Sequence, residues 1–166
     1  ALMRHIQRLT APNSGMMTGP GTNTYILGET ATGYAVIDAG PADTAHLERI
    51  EAATGGDIRW LVCTHSHSDH SPGAVALQAR LHARGQTVPL YGMASGPHAL
   101  ANSYFVPDSP VEHDQKLSLT GLDAQGRAIS HTLRCLHTPG HAANHLCLLL
   151  EEDAVLFSGD HILNGS

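Results

Sequence analysis

Residues 58–70 read IRWLVCTHSHSDH, and the fold is decided there. IRWLVCT (58–64) is a short apolar run between turn signals, the pattern of a strand buried on both faces. It runs directly into His65-Ser66-His67-Ser68-Asp69-His70. In an extended backbone, residues two apart face the same side, so His65 and His67 can grip one ion together. Asp69 and His70 lie a turn further on, where they can face a second ion. Ser71 as N-cap and Pro72 at the first helical position then open a helix to about His82 or Arg84. Neutral imidazoles with a carboxylate are a ligand set for Zn²⁺, with Fe²⁺ or Mn²⁺ as alternatives set by availability. The bland alternative is a His-rich exposed loop with no ion; spacings that carry geometric meaning argue against it.

Working outward, the preceding residues predict strands followed by a helix. Residues 4–9 read as a strand, then comes the Gly/Pro/Asn/Ser-rich loop PNSGMMTGPG. TNTYILG (22–28) and YAVIDAG (34–40) are apolar runs with β-branched and aromatic residues, separated by a turn at Glu29–Gly33. Asp43 or Thr44 can cap a helix to about Thr54, ended by Gly55-Gly56. Downstream, VPLYG (88–92) is strand-like. Residues 93–115 are loop-like, with one helical turn near 97–103. KLSL, ISHTLRCLHT, HLCLLLE and AVLFSGD follow as strands. Strands interleaved with helices and then a run of strands predict a layered α/β (α+β) domain over residues 1–166.

Composition narrows the function. The chain of 166 residues is 42% hydrophobic and only 14% charged, yet it holds 13 His against a single Lys, Lys116, with a formal charge of −6. Counterion release needs a clustered Lys/Arg face, so long nucleic acid is disfavoured as a partner. A polybasic membrane-surface protein is disfavoured for the same reason. The longest apolar run, Leu146–Leu150, is too short to cross a bilayer. Cys63, Cys135 and Cys147 form no CxxC pair and each sits in an apolar stretch, which predicts small buried hydrophobes in a reducing compartment. With no signal-like N-terminus, the expected location is the cytoplasm.

Two further segments converge on the histidine motif. His137-Thr138-Pro139-Gly140-His141 ends a strand with a rigid turn that can hold one imidazole at a fixed angle. Leu156-Phe157-Ser158-Gly159-Asp160 puts a carboxylate at the end of an apolar strand beside a Gly that permits close approach. Other enzyme signatures fail. Gly19-Pro20-Gly21 lacks the third glycine of a dinucleotide loop, and Gly92-Met93-Ala94-Ser95-Gly96 has the wrong spacing for a nucleophile elbow.

HSHSDH, HTPGH and the strand-end SGD, in this order, resemble the metallo-β-lactamase-fold hydrolase superfamily, in the branch of glyoxalase II and ribonuclease Z. GPGTNTYILGE, VIDAG, THSHSDHSPGA, HTPGHAANHLCLLLEE and LFSGDHI are most similar to the lactamase-beta-two-like hydrolases. The resemblance runs from about residue 10 to the C-terminus and implies an αββα sandwich. It implies that His65, His67 and His141 form a first metal site, that Asp69 and His70 belong to a second, and that Asp160 bridges the two. It also implies that Asp38, at the end of VIDAG, orients the backbone or a ligand histidine; a plain turn residue is the alternative.

In the family pattern the second site takes one more His, from beyond the bridging Asp. His161, His145 and His137 do not match that position. The sequence therefore predicts the N-terminal part of a longer enzyme, with an apolar sheet face and an open edge left exposed and a homodimer or partner segment to cover them.

The resemblance implies hydrolysis at two zinc ions, which activate water at neutral pH, with Asp69 as the catalytic carboxylate that accepts or orients its proton. The substrate is left open among ester, thioester and phosphodiester. A glyoxalase-II-like thioesterase acting on a small or short substrate and an endoribonuclease are the two enzymatic readings. A truncated, non-catalytic metal-binding fragment is the third. The loop SGMMTGPGTN is either an apolar flap carrying Met16 and Met17 or a plain connector.

Overall fold

The structure, a computed structural model, describes residues 3–97, 99 and 101–163. Residues 98 and 100, inside the expected helical turn near 97–103, and the chain end at Ser166 lie outside them. Five strands match the apolar runs upstream of residue 93: β1 (Ile6–Thr10), β2 (Asn23–Glu29), β3 (Gly33–Ile37), β4 (Ile58–Val62) and β5 (Leu90–Gly92). With the two-residue β6 (Ser109–Pro110) they form a sheet in the order β1-β2-β3-β4-β5-β6. β1, β2 and β3 are antiparallel neighbours, whereas β3 to β6 run parallel. Parallel pairs need crossovers; α1 (Thr44–Thr54) supplies the one between β3 and β4, and α2 (Pro72–Ala83) the one between β4 and β5.

β7 (Lys116–Leu122), β8 (Ala128–His137), β9 (Leu146–Leu150) and β10 (Val155–Phe157) form a second, antiparallel sheet in the order β10-β9-β8-β7. Along β7 the even and odd positions divide: Leu117 and Leu119 are buried while Ser118 and Thr120 are exposed. That alternation puts one face on the core and the other in water. The expected exposed apolar face is therefore largely absent from β7 and β8, and exposed apolar side chains gather instead near β10, at Leu156, Ile162 and Leu163.

The sheets pack face to face. Ile6, Leu27, Ile37 and Val62 of the first meet Leu119, Leu133, Leu148 and Phe157 of the second. On the other side of the first sheet, Ile26, Val36 and Leu61 pack on Leu47 and Ile50 of α1 and on Leu77 and Leu81 of α2. Each such aliphatic side chain contributes about 1.5–3 kcal/mol by leaving water. The result is a helix–sheet–sheet arrangement of mixed α/β class; among the described residues no helix covers the outer face of the second sheet.

α1 starts where the sequence placed it, with the Asp43 side chain accepting from the His46 N–H at 2.8 Å and Gly55 in the left-handed region closing it. Ser71 departs from the expected cap. It occupies the N-cap position without a side-chain cap bond, and its hydroxyl donates instead to the carbonyls of Ser66 and His67. That choice ties the helix start to the histidine loop. Gly73 completes the junction: its N–H donates to Gly40 O at 2.7 Å, and a Cβ there would lie 2.5 Å from the carbonyl oxygens of Ala39 and Gly40. Only glycine lets α2 abut the loop that follows Asp38 this closely.

Candidate metal centre

The parallel strands β3 and β4 end side by side, and ligand sites in such sheets form beyond the carboxyl ends. β3 delivers Asp38, whose φ of +52° is unusual for a residue with a side chain. Three bonds hold it there. Asp38 Oδ1 accepts from the Thr64 N–H at 2.7 Å, and Oδ2 accepts from the Thr64 hydroxyl at 2.7 Å and from His70 Nδ1 at 2.9 Å.

This network sets the tautomers. The single hydroxyl proton of Thr64 goes to Asp38, so Thr64 Oγ1 accepts from His65 Nδ1 at 3.0 Å and the His65 proton resides on Nδ1. His65 Nε2 is then a bare lone pair, buried and without a partner. Likewise His70 donates through Nδ1, so its Nε2 is turned towards Asp69 Oδ2 at 3.4 Å and Asp160 Oδ2 at 3.5 Å.

The second sheet supplies the opposing wall. His141 follows β8, in the turn before β9, and its Nε2 lies 2.9 Å from His67 Nδ1. Asp160 was expected on a strand; it lies in the 3-10 turn Gly159–His161 after β10. That turn requires Gly159, with φ +49°, because a Cβ would lie 2.7 Å from His145 Nε2 and 2.8 Å from Thr64 Oγ1. Asp160 Oδ2 thereby reaches 3.4 Å from His141 Nε2, 3.5 Å from His70 Nε2 and 3.8 Å from His65 Nε2. One carboxylate oxygen thus stands among three imidazole nitrogens.

Two groups have ligand atoms all within 4.8 Å of one another: His65, His67 and His141, and His65, His70 and Asp160. His65 is common to both. Asp69 touches His70 but belongs to neither group; its Oδ2 also accepts from Thr22 Oγ1 at 3.4 Å. His161 is exposed and joins neither group.

The electrostatics favour a cation. Burial pushes His65 down to about 3 and also lowers His67, so both present neutral imidazoles. Burial works against charge on His70 too, but the Asp38 carboxylate and the bonds to Asp160 and Asp69 outweigh it and raise its pKa well above the ordinary value. The hydrogen bond with His70 holds Asp69 at about 2 and lowers Asp160. Ionised carboxylates beside the bare His65 Nε2 draw positive charge to this point, and among the described residues that nitrogen has no hydrogen-bond partner. The donor set and its geometry fit a divalent metal ion.

Sequence reading missed three supports: Thr64, His145 and Thr138. His145 is fully buried, with Nδ1 2.9 Å from Thr138 Oγ1 and Nε2 unpartnered. Thr64, adjacent to the motif, was the one with a local signal. The burial of His145 depends on strands distant in sequence.

Beside the histidines opens a pocket of about 800 Å³ that reaches from Asp38, Asp69 and Asp160 to the loop after β1. The base of that loop is pinned, with Asn13 Nδ2 donating to Thr22 Oγ1 and Thr22 N–H donating to Asn13 Oδ1, both at 2.9 Å. Its tip presents Met16 and Met17, 97% and 93% exposed, at the pocket rim.

Comparison with known proteins agrees with this architecture. The family model described as the Metallo-beta-lactamase superfamily matches residues 17–166. The lactamase-like protein nscB of Neosartorya fischeri is 31% identical over 165 residues, covering 98% of this chain and 44% of the relative. An atrochrysone carboxyl ACP thioesterase of Pseudocercospora fijiensis is 30% identical over 167 residues, covering 98% of this chain and 43% of its own length. The chain thus spans less than half the length of these curated relatives. Among solved structures, a beta-lactamase domain protein from Burkholderia ambifaria superposes with a TM-score of 0.73 at 21% identity, covering 98% of this chain and 55% of that one, a likeness of fold.

Proposed function

This chain belongs to the metallo-beta-lactamase superfamily, and from that premise we propose that it carries the metal-binding part of a zinc-dependent hydrolase acting on thioesters, in the manner of the glyoxalase II branch. The observation that carries the reading is the pair of ligand groups sharing His65, with Asp160 Oδ2 between them. His65, His67 and His141 would hold one ion; His70, Asp69 and Asp160 would hold or share a second. Ions held there supply polarisation of a carbonyl and a nucleophilic water at neutral pH.

The chain's own residues do the positioning. Thr64 keeps the His65 proton on Nδ1, so the His65 Nε2 lone pair faces the site, and Asp38 holds the His70 Nδ1–H, so that an ion would take the place of the proton on the His70 Nε2 turned towards Asp69 and Asp160. Asp69, ionised at neutral pH, is the carboxylate that would orient the proton of a water supplied at the ions. Met16 and Met17 at the pocket rim would offer apolar contact to an acyl chain.

A thioester is favoured over a phosphodiester by the −6 charge and single Lys, and by the relative that carries a thioesterase name. The partner would be a small or short substrate, with a homodimer as the assembly. The three cysteines, all free and buried, support a reducing, cytoplasmic setting. No helix of the described residues is long and apolar enough to cross a membrane.

The test is turnover of acyl thioesters and of bis(p-nitrophenyl) phosphate by zinc-loaded and chelator-treated protein. Zinc-dependent thioester hydrolysis is expected. Zinc-dependent cleavage of the phosphodiester alone would instead favour the endoribonuclease reading. Turnover of neither would leave a non-catalytic metal-binding chain.

A further inference from the structure

Arg8 lies on β1 directly opposite Tyr25 of β2. Two residues back on the same strand face, Ile6 and Leu27 enter the inter-sheet core, so Arg8 and Tyr25 continue that face outward. Both line the pocket that holds Asp38, Asp69 and Asp160. Tyr25 in turn contacts Phe157, with ring centroids 5.1 Å apart, just before the turn that carries Asp160.

Elsewhere, Arg49, Arg59, Arg80, Arg84, Arg127 and Arg134 each have a carboxylate or carbonyl partner, whereas Arg4, outside the pocket wall, has none among the described residues. Among the described residues Arg8 has none, and it is the only Lys or Arg in the pocket wall. The pocket therefore has three chemically distinct parts: a carboxylate–imidazole end, an apolar rim, and one uncompensated guanidinium. Ions held by the first part would engage the thioester carbonyl, so the guanidinium is the group left to take an anion carried elsewhere on the substrate. A guanidinium also matches phosphate or carboxylate with two parallel donors.

We propose that Arg8 is the anion-binding residue of this pocket, taking a phosphate or carboxylate carried by an apolar-chain thioester substrate. This rests on the thioester reading for the substrate's identity. The anion has two sources: phosphate on the thiol side, or carboxylate at the far end of the acyl chain.

Three thioethers that cannot be hydrolysed separate these sources on zinc-loaded protein: S-decyl coenzyme A, S-(9-carboxynonyl)-N-acetylcysteamine and the neutral S-decyl-N-acetylcysteamine. Titration calorimetry should find one anionic probe bound about tenfold tighter than the neutral one, the size expected for a charge-assisted pair. Arg8→Met should erase that ratio while leaving the neutral probe unchanged. Arg8→Lys should keep part of it, and Arg127→Met, on the distant β7–β8 turn, all of it. Equal binding of the three probes, no binding by any, or a ratio that survives Arg8→Met would overturn the assignment. Because no probe has a scissile bond, the ratio stands or falls apart from catalysis. An intact ratio without thioester turnover sinks the hydrolase reading alone, and turnover without the ratio sinks only the role of Arg8.

Discussion

The wall of the site that hangs from the first sheet differs from the wall that hangs from the second. Side chains of Asp38, His65 and His70, the inner part of the first wall, are 5%, 0% and 7% exposed, against 29% for Asp69 at its outer edge and 32% and 24% for His141 and Asp160 of the second. On the first wall the orienting nitrogens of His65 and His70 are hydrogen-bonded through Thr64 and Asp38, whose backbone N–H groups are fixed as well. On the second, the side chains of His141 and Asp160 meet each other and the histidines opposite. One wall is part of the folding core; the other is set chiefly by what lies between them. Substitutions on the first should cost stability and metal together, and substitutions on the second mainly metal.

Asp38→Ala gives the largest effect. It strips the partners from buried His70 Nδ1 and from Thr64, and removing one member of such a pair costs about 3–5 kcal/mol. Denaturant melts should show that loss together with loss of zinc. A change below about 1 kcal/mol would show that the first wall is not structural.

Gly159→Ala comes next. A left-handed backbone with a Cβ costs roughly 1–2 kcal/mol, and the contact with His145 Nε2 pushes the Asp160 turn outward. A variant of unchanged stability and zinc affinity would mean that the turn repacks freely.

Asp160→Asn and His141→Ala should each shift stability by less than about 1 kcal/mol, yet weaken zinc binding by about tenfold or more. Stability losses matching those of Asp38→Ala would erase the distinction between the walls.

The smallest effect lies on the helical flank and is a control away from the ligands. Glu51 of α1 is held below its ordinary pKa, first by the hydrogen bond from Arg80, then by the charges of Arg80 and Arg84. A depressed acid stabilises the fold above its unfolded pKa and loses that contribution as pH falls through the folded value. The melting-temperature gap between wild type and Glu51→Gln should therefore be widest near neutral pH and close below the ordinary Glu range, about 4.3. A gap that grows in acid would reverse the sign.

The same two walls differ in how much of them the sequence showed. His65, His67, Asp69 and His70 were legible because their spacing is local and the strand before them is a continuous apolar run. The βαβ units were legible too, since Asp43 with Gly55-Gly56 and Ser71-Pro72 mark helix ends chemically. The second wall depends on pairing between distant strands. Nothing near Asp160 indicates a 3-10 turn in place of a strand end, and nothing near His145 predicts that it fills the space Gly159 leaves. β6 has two residues and no alternation to read. Ser71 carries the right residue type for a cap, but its hydroxyl is drawn off by Ser66 and His67, a tertiary choice that local sequence does not encode.

His65 belongs to both ligand groups, so the most direct test of the site is the zinc retained per chain by wild type and His65→Ala. Both would be measured by plasma mass spectrometry on monodisperse, folded protein after dialysis against a weak chelator. Wild type should retain roughly one to two ions, with His65→Ala keeping none while melting as a folded protein. Wild-type zinc content in His65→Ala would contradict a centre built around that imidazole.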